Sequence, residues 1–558
     1  MLGPVEREIL SQLFAAVPEE MGAVLVRSAR SPNIRARRDS SAALFSATGE
    51  LVAQAAHIPV HLGAMPEAVA AVRARGARAG ELWVLNDPYT GGTHLPDITV
   101  IAAVGTGAPG QGGTVAPALR GTGPRRQIRT DDAPIAYAVV RAHHADVGGT
   151  RPGSMAPDAR TLVDEGVVIP PTRIGAVGRV DEDAVEALVA RMREPAVRRA
   201  DLAAQIAAAR RGGERWNELV ARYGAAHLDD AVQDILGYAE TRTRAALVLL
   251  REGVYEGADV LEGDGISAAP LAIRLRLTVA GGALTADFAG TAPAAEGSVN
   301  CPLSVTRSAA LFALRCVIPE DVPTNGGVAR CVRVAAPLGS LVNAQPPHAV
   351  AAGNVETSQR LADLLLDLLR QAGADLPAQG QGTMNNVIFG TDTWVYYETL
   401  GGGQGASRHG PGPSGVHVGM SNTRNTPIEV LEMELPLRVE EYSLRHGSGG
   451  RADGRTGGQE DGPAHGAMVR LSAGPPGGWP GGDGVVRQIR VLEPCSLSLI
   501  SERRRVAPKG ANGGGDGLPG RNLVNGREVG AKVAMELAAG DVVRIETPGG
   551  GGYGSATP

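Results

Sequence analysis

The sequence predicts an α+β fold: a large mixed, multi-layered body with a central helical segment and a β-rich, Gly-rich C-terminal part. Three observations carry this expectation. Residues 31 to 104 hold short apolar runs cut by Gly, Pro and Asn, the mark of strands and turns. Residues 181 to 252 repeat apolar positions at helical spacing. From about residue 440 onward, alternating runs such as VVRQIRVL and VVRIETP lie among glycines, of which the 558-residue chain has 77.

Taken in order, the N-terminus reads as two helices, the first opened by Pro4 with Val5, Ile9, Leu10 and Leu13 on one face, the second following Pro18. SAALFSA, ELVAQAA, LWVLNDP and DITVIAAV are strand patterns. Residues 105 to 134 are rich in Gly, Pro, Ala and Thr without a period, as in an exposed insertion between two strands, and the strand IAYAVVRA follows. Val185, Leu188, Val189 and Met192 stripe one helix, Pro195 opens another, and Val232, Ile235, Leu236 and Ala239 repeat the spacing. Ile273, Leu275, Leu277 and Val279 alternate up to Gly281-Gly282 and LTADFAGT, a hairpin pattern. Helices are expected again at 303 to 317 and 356 to 372. The parts are drawn as 1–180 (α/β, with a metal site), 181–252 (helical), 253–440 (α+β, with pocket-lining loops) and 441–558 (β-rich).

Composition excludes several classes of function. The 54 basic and 59 acidic side chains leave a net charge of −5, without the clustered basic excess that nucleic acid or a membrane surface demands. Neither is an expected partner. Glu6, Glu8, Glu19 and Glu20 stand where a signal peptide needs positive charge, and no apolar run reaches a span of about 18 residues. Cys301, Cys316, Cys331 and Cys495 form no CxxC pair and read as buried, reduced thiols, so a cytoplasmic location is expected. There is no GxxxxGK[ST] phosphate loop and no G-x-S-x-G elbow. Gly549, Gly551 and Gly554 match GxGxxG but precede no helix, which makes them structural glycines.

The chemistry concentrates in three turns. His57 and His61 lie in AHIPVHLGAM, His94 in NDPYTGGTHLPD, and His143 and His144 in AHHADVGG, with Asp87, Asp97 and Asp146 in or beside the last two. Neutral imidazoles plus carboxylate at strand ends suit a divalent ion such as zinc, iron or manganese. The candidate ligands are His94, Asp97 and His143, supported by His144 or Asp146; the alternative is a set of hydrogen-bonded turn residues with no metal. Pro96 rules out a helix for His94 and Asp97, so a tight turn must bring them together. Pro59 likewise removes the helix of an HxxxH zinc site, leaving His57 and His61 as pocket lining. Gly401 to Gly405 and SGVHVGMSNTRNTPIE, with His417, Asn422, Thr423, Arg424, Asn425 and Glu429, read as a polar pocket wall that binds substrate.

Together RRDSSAALFSATGELVAQAAHIPVHLGAM, NDPYTGGTHLPDITV, AHHADVGGTRPGSM, GNVETSQRLADLL, GGGQGA, MSNTRNTPIEVLE and the late GGGGYG resemble the hydantoinase B family, in family order from about residue 5 to 555. That family includes the B-type subunits of ATP-dependent N-methylhydantoinases, the C-terminal half of 5-oxoprolinases, and subunits of acetone and acetophenone carboxylases. The resemblance implies an A-type partner that binds ATP with magnesium and phosphorylates the carbonyl oxygen of a cyclic amide. The B-type subunit then completes ring opening, in a hetero-oligomer. It also implies one divalent metal at the matching H-L-P-D and A-H-H positions, with Asp87 or His144 orienting or deprotonating water. The alternative within the same resemblance is a subunit of an ATP-dependent ketone carboxylase, distinguished by dependence on bicarbonate. The chain departs from the family at Gly419, where a second His often follows the one in the GVH segment, at the 105–134 insertion and in the polar GGRADGRTGGQED stretch.

Overall fold

Strands Ser40–Ser46 (β1), Leu51–Ala56 (β2), Glu81–Leu85 (β3), Asp97–Val104 (β4), Ala136–His143 (β5), Thr172–Ala176 (β6) and Arg179–Val180 (β7) form an antiparallel sheet in the order β2-β1-β5-β4-β3-β6-β7. The computed structural model describes residues 2–56, 58–106, 132–452, 456–457 and 478–554. Both faces of this sheet are covered. Ile98, Val100, Ala102 and Val104 of β4 pack with the helices Pro4–Ser28 and Pro195–Tyr223, while Ile101 and Ala103 pack with the Met65–Ala74 helix. A strand buried on two sides needs apolar residues at every position, which accounts for the unbroken run DITVIAAV.

The helices Glu182–Val189, Pro195–Tyr223 and Ala225–Leu247 form the central helical segment. A second antiparallel stretch, Gly253–Leu261 (β8), Leu271–Ala280 (β9) and Ala283–Asp287 (β10), is joined in parallel by Val332–Ala335 (β11). Its apolar face packs on the helices Leu303–Arg315 and Ser358–Gln371. Asn386–Gly390 (β12) and Val395–Thr399 (β13) pair with Cys495–Ile500 and Lys532–Leu537 in a four-stranded sheet. That sheet shares a core with a five-stranded one containing Leu437–Arg445 and Gly484–Val491. The glycines have a packing reason: a Cβ added at Gly549 would stand 1.9 Å from the Ser448 carbonyl oxygen, and one at Gly550 2.1 Å from that of Gln404. Backbone runs against backbone there, and Gly403 and Gly405 of the Gly401 to Gly405 tract are packed in the same way, their Cβ positions 2.0 Å from the Gly482 and 1.9 Å from the Ala378 carbonyl oxygens.

Three sequence expectations are corrected. The N-terminus is one helix, Pro4–Ser28, running through Pro18. Its buried stripe is Leu10, Phe14, Val17, Met21 and Leu25, whereas Val5 and Ile9 are 74% and 51% exposed. Proline forfeits its own N–H bond and crowds the carbonyl four residues earlier, but the buried stripe continues at helical spacing on both sides of it and holds the helix together. By length and composition this helix would also suffice for a membrane span, but here its apolar face is core. Cys316 is exposed at the end of the Leu303–Arg315 helix; the other three cysteines are buried and all four are free. Residues 107–131 of the 105–134 insertion, and most of GGRADGRTGGQED, lie outside the described residues.

One buried carboxyl ties the first sheet to the second half. Glu165 Oε1 accepts from the Val350 and Ala351 N–H groups at 2.9 and 2.7 Å, and burial pushes its pKa up to about 8. A folded-state pKa above the unfolded value means stability is full below about pH 4.5 and is lost as pH rises through the folded value. Glu165→Gln keeps the acceptor and removes the titration. Its melting temperature relative to wild type is therefore expected to rise progressively from pH 5 to pH 8 in scanning calorimetry, and a difference independent of pH would refute this assignment.

Candidate metal centre

The pairing of three strands builds the centre. β4 pairs with β5 so that Asp97 stands opposite His143. β1 pairs with the other edge of β5, Ser40 opposite Ala142, and one step further the His143 N–H donates to the Asp39 carbonyl at 3.0 Å. Asp39, His143 and Asp97 thus form one cross-strand row, and side chains in such a row point to the same face. His94 arrives by a turn: the Asp97 N–H donates to the His94 carbonyl at 3.1 Å across Leu95-Pro96. All four residues are buried.

Donor atoms converge here. His94 Nε2 lies 3.2 Å from His143 Nδ1, His143 Nδ1 3.3 Å from Asp97 Oδ1, and His94 Nδ1 3.2 Å from Asp97 Oδ2. With one ligand atom taken from each residue, the three lie within 4.8 Å of one another, close enough to be gathered by one divalent cation. The His143 Nε2 has no hydrogen-bond partner among the described residues. Burial alone would push the Asp97 carboxyl up; the His94 and His61 charges and hydrogen bonds from His143 and His61 hold it well below the usual carboxylate range. Burial lowers His143, which favours the neutral imidazole a metal needs. His61 does more than line a pocket, since its Nε2 is 3.2 Å from Asp97 Oδ2 while its Nδ1 meets the Ser41 hydroxyl at 2.9 Å.

The opposite wall comes from the second half of the chain. Asn354, Val355, Met384, Tyr397, Thr399, Ser421 and Thr423 close a cavity of about 20 Å³ against His61, His94, Asp97, His143 and Asp39. Tyr397 lies stacked on His143, with ring centroids 4.7 Å apart, and the Arg37 guanidinium lies over Tyr397 at 4.7 Å. Arg37 also donates to the Tyr397 carbonyl at 2.6 Å and the Thr399 hydroxyl at 2.8 Å. The Asn354 Oδ1 is buried without a hydrogen-bond partner among the described residues.

Other expected site residues stand elsewhere. His144, one residue past the row, points to the opposite face, where its Nε2 meets Gln205 Oε1 at 2.8 Å; burial lowers its pKa to about 4. Asp146 binds the Gly148 and Gly153 N–H groups and Arg193, and Asp87 caps the turn at Tyr89. Asn422 and Arg424 are exposed, because alternation turns Ser421 and Thr423 inward instead. Asn425 is held by Glu398 and Tyr442. His57 lies outside the described residues. Gly419 has a φ of +63°, which favours glycine, and a Cβ there would meet Gln359 Oε1 at 2.1 Å, so a histidine would be strained in backbone and would displace the Gln359 side chain.

Asp39, Asn354, Thr399 and Tyr397 are additions that the sequence reading missed. Asp39 was legible in principle, since it extends the alternation of β1 beyond Ser41; Tyr397 carried no signal.

The chain is similar to known proteins throughout. The Hydantoinase B/oxoprolinase family profile matches residues 3–459 and 465–556. 5-Oxoprolinase 1 of Arabidopsis thaliana is 34% identical over 99% of this chain, which spans only 42% of that protein's length. The B-type subunit of a putative D-/L-hydantoinase from a Pseudomonas species is 27% identical over 99% of this chain and 90% of its own. The crystal structure of an ATP-dependent caprolactamase from Pseudomonas jessenii superimposes with a TM-score of 0.82 at 24% identity, covering 100% of this chain and 92% of that one, a likeness of fold.

The stack makes a prediction about stability. Arg37→Met leaves several buried acceptors unpaired and is expected to cost about 3 kcal/mol in urea unfolding, whereas Tyr397→Phe, which loses one hydrogen bond to Asn386, is expected to cost about 1 kcal/mol. Equal losses would argue against the guanidinium as the organising group.

Proposed function

This chain belongs to the hydantoinase B/oxoprolinase family, and from that membership we propose that it is a B-type subunit that completes the ring opening of a cyclic amide activated on an ATP-binding A-type partner. The observation that carries the reading is the buried trio His94, Asp97 and His143, with nitrogen and oxygen donors within 4.8 Å of one another. Lengths support the division of labour: the Arabidopsis oxoprolinase holds this region within a chain more than twice as long, while the Pseudomonas relative of nearly equal extent is named a subunit. In the proposed complex ATP and magnesium sit on the partner, and the hetero-oligomer works in the cytoplasm.

His94, Asp97 and His143 would hold a divalent ion, zinc, iron or manganese, which when bound supplies Lewis-acid polarisation of a substrate oxygen or a water. His61 and Thr93 fix the Asp97 carboxylate by hydrogen bonds to Oδ2 at 3.2 and 2.5 Å. Asp39 faces the same cavity and is placed to take a proton from attacking water. Asn354 Oδ1, free of other bonds among the described residues, is an acceptor available to a water in the same cavity. About 20 Å³ holds a water or an ion but no lactam, so the cavity must widen to admit substrate.

Elemental analysis tests the centre first. We expect about one divalent ion per wild-type chain, and loss of that ion in His94→Ala and Asp97→Ala with circular dichroism unchanged. With an A-type partner, wild type is expected to hydrolyse 5-oxoproline or a hydantoin with stoichiometric ATP consumption and no need for bicarbonate. Both metal-site variants should lose at least a hundredfold in that rate. Activity that requires bicarbonate and a ketone would instead assign the carboxylase alternative, and full activity in His94→Ala would remove the trio from the reaction.

A further inference from the structure

A second cavity, of about 480 Å³, shares Tyr397 in its lining with the cavity of the metal centre. Arg198 is 1% exposed in its wall, yet its Nε and Nη1 have no hydrogen-bond partner among the described residues, and its Nη2 reaches only Glu194 Oε2, at 3.5 Å. The Asn33 Nδ2 and the Ser31 hydroxyl, also in this wall, are buried and equally unpartnered. Arg30 and Arg35 complete the lining, giving three arginines against two glutamates, Glu194 and Glu434, and the buried Asp201 adjoins them, its Oδ1 accepting from the Arg30 and Ser31 N–H groups.

A buried guanidinium with two idle N–H groups is expensive to maintain unless something accepts from it. Beside the Glu194 and Asp201 carboxylates, the unpartnered groups of this wall are an amide N–H₂, a hydroxyl and two guanidinium N–H groups, all able to donate. Such a set matches an oxyanion, which offers several lone pairs and a negative charge. The remaining walls, Trp394, Tyr396, Val197 and Leu435, are aromatic or apolar and suit a small organic body attached to that anion. We infer that this cavity is a binding site for a small oxyanion-bearing molecule, held through Arg198, Asn33 and Ser31. The two available oxyanion chemistries are a carboxylate and a phosphate. The inference stands on this cavity alone and survives if the proposed reaction is wrong.

Calorimetric titration of the full chain with inorganic phosphate and, separately, with glutarate tests it, the stronger binder identifying the source of the oxyanion. Wild type is expected to bind at least one of them, and Arg198→Met to weaken that binding at least tenfold. Asn33→Leu provides a second variant, expected to weaken the same anion severalfold. His94→Ala controls for an anion on the metal centre and is expected to bind like wild type. The inference is overturned if neither anion binds wild type at about 10 mM, a concentration that would detect even weak anion sites, if both wall variants bind unchanged, or if binding is lost in His94→Ala and retained in Arg198→Met.

Discussion

The register of β5 between β1 and β4 is the constraint on which the rest of the candidate site depends. It places Asp39, His143 and Asp97 in one row on one face. Because strand side chains alternate strictly, a slip of one residue would exchange His143 for His144 and bring an imidazole from the helix-covered side into the row. The slip is resisted by the core, since it would also turn Ala138, Val140 and Ala142 of β5 away from the helices they pack against. A core made for burial therefore fixes the geometry of the polar row at its end.

The row alone makes half a cavity. The second half of the chain supplies the rest through Tyr397, held between His143 and Arg37, and through the threonine and serine side chains on β13 and the segment after it. Arg37 lies just before β1, yet its hydrogen bonds end on Tyr397, Thr399 and Arg424. A buried cation in this position penalises any separation of the two halves, because its acceptors would be left without a donor in a medium that cannot replace it. Site assembly and packing between the halves are thus coupled.

Two environments of different character share Tyr397 in their linings. In one, imidazoles and carboxylates crowd within hydrogen-bond distance around a space fit for an ion. In the other, arginine, amide and hydroxyl donors face a roomier cavity lined by aromatic rings. A cation-favouring site and an anion-favouring site share one aromatic side chain, so displacement of that ring would alter both at once.

Residue types, turns and periodicity determined the fold class, most strands, the central helices and the identity of His94, Asp97 and His143 as the candidate ligands. These are local properties: apolar period reports which face is buried, and Pro96 forces the turn that joins His94 to Asp97. What the tertiary structure decided is which of several neighbouring polar residues face the cavity. His144 and Asp146 look equivalent to His143 in sequence, but strand parity sends His144 to Gln205 and backbone N–H groups claim Asp146. Asn422 and Arg424 lose their place to Ser421 and Thr423 for the same reason of parity. Tyr397 and Arg37 are joined to the site by contacts spanning hundreds of residues, and Arg198 is left with idle donors by the packing around it. No local pattern encodes such long-range contacts, because they arise only when separate layers close on one another.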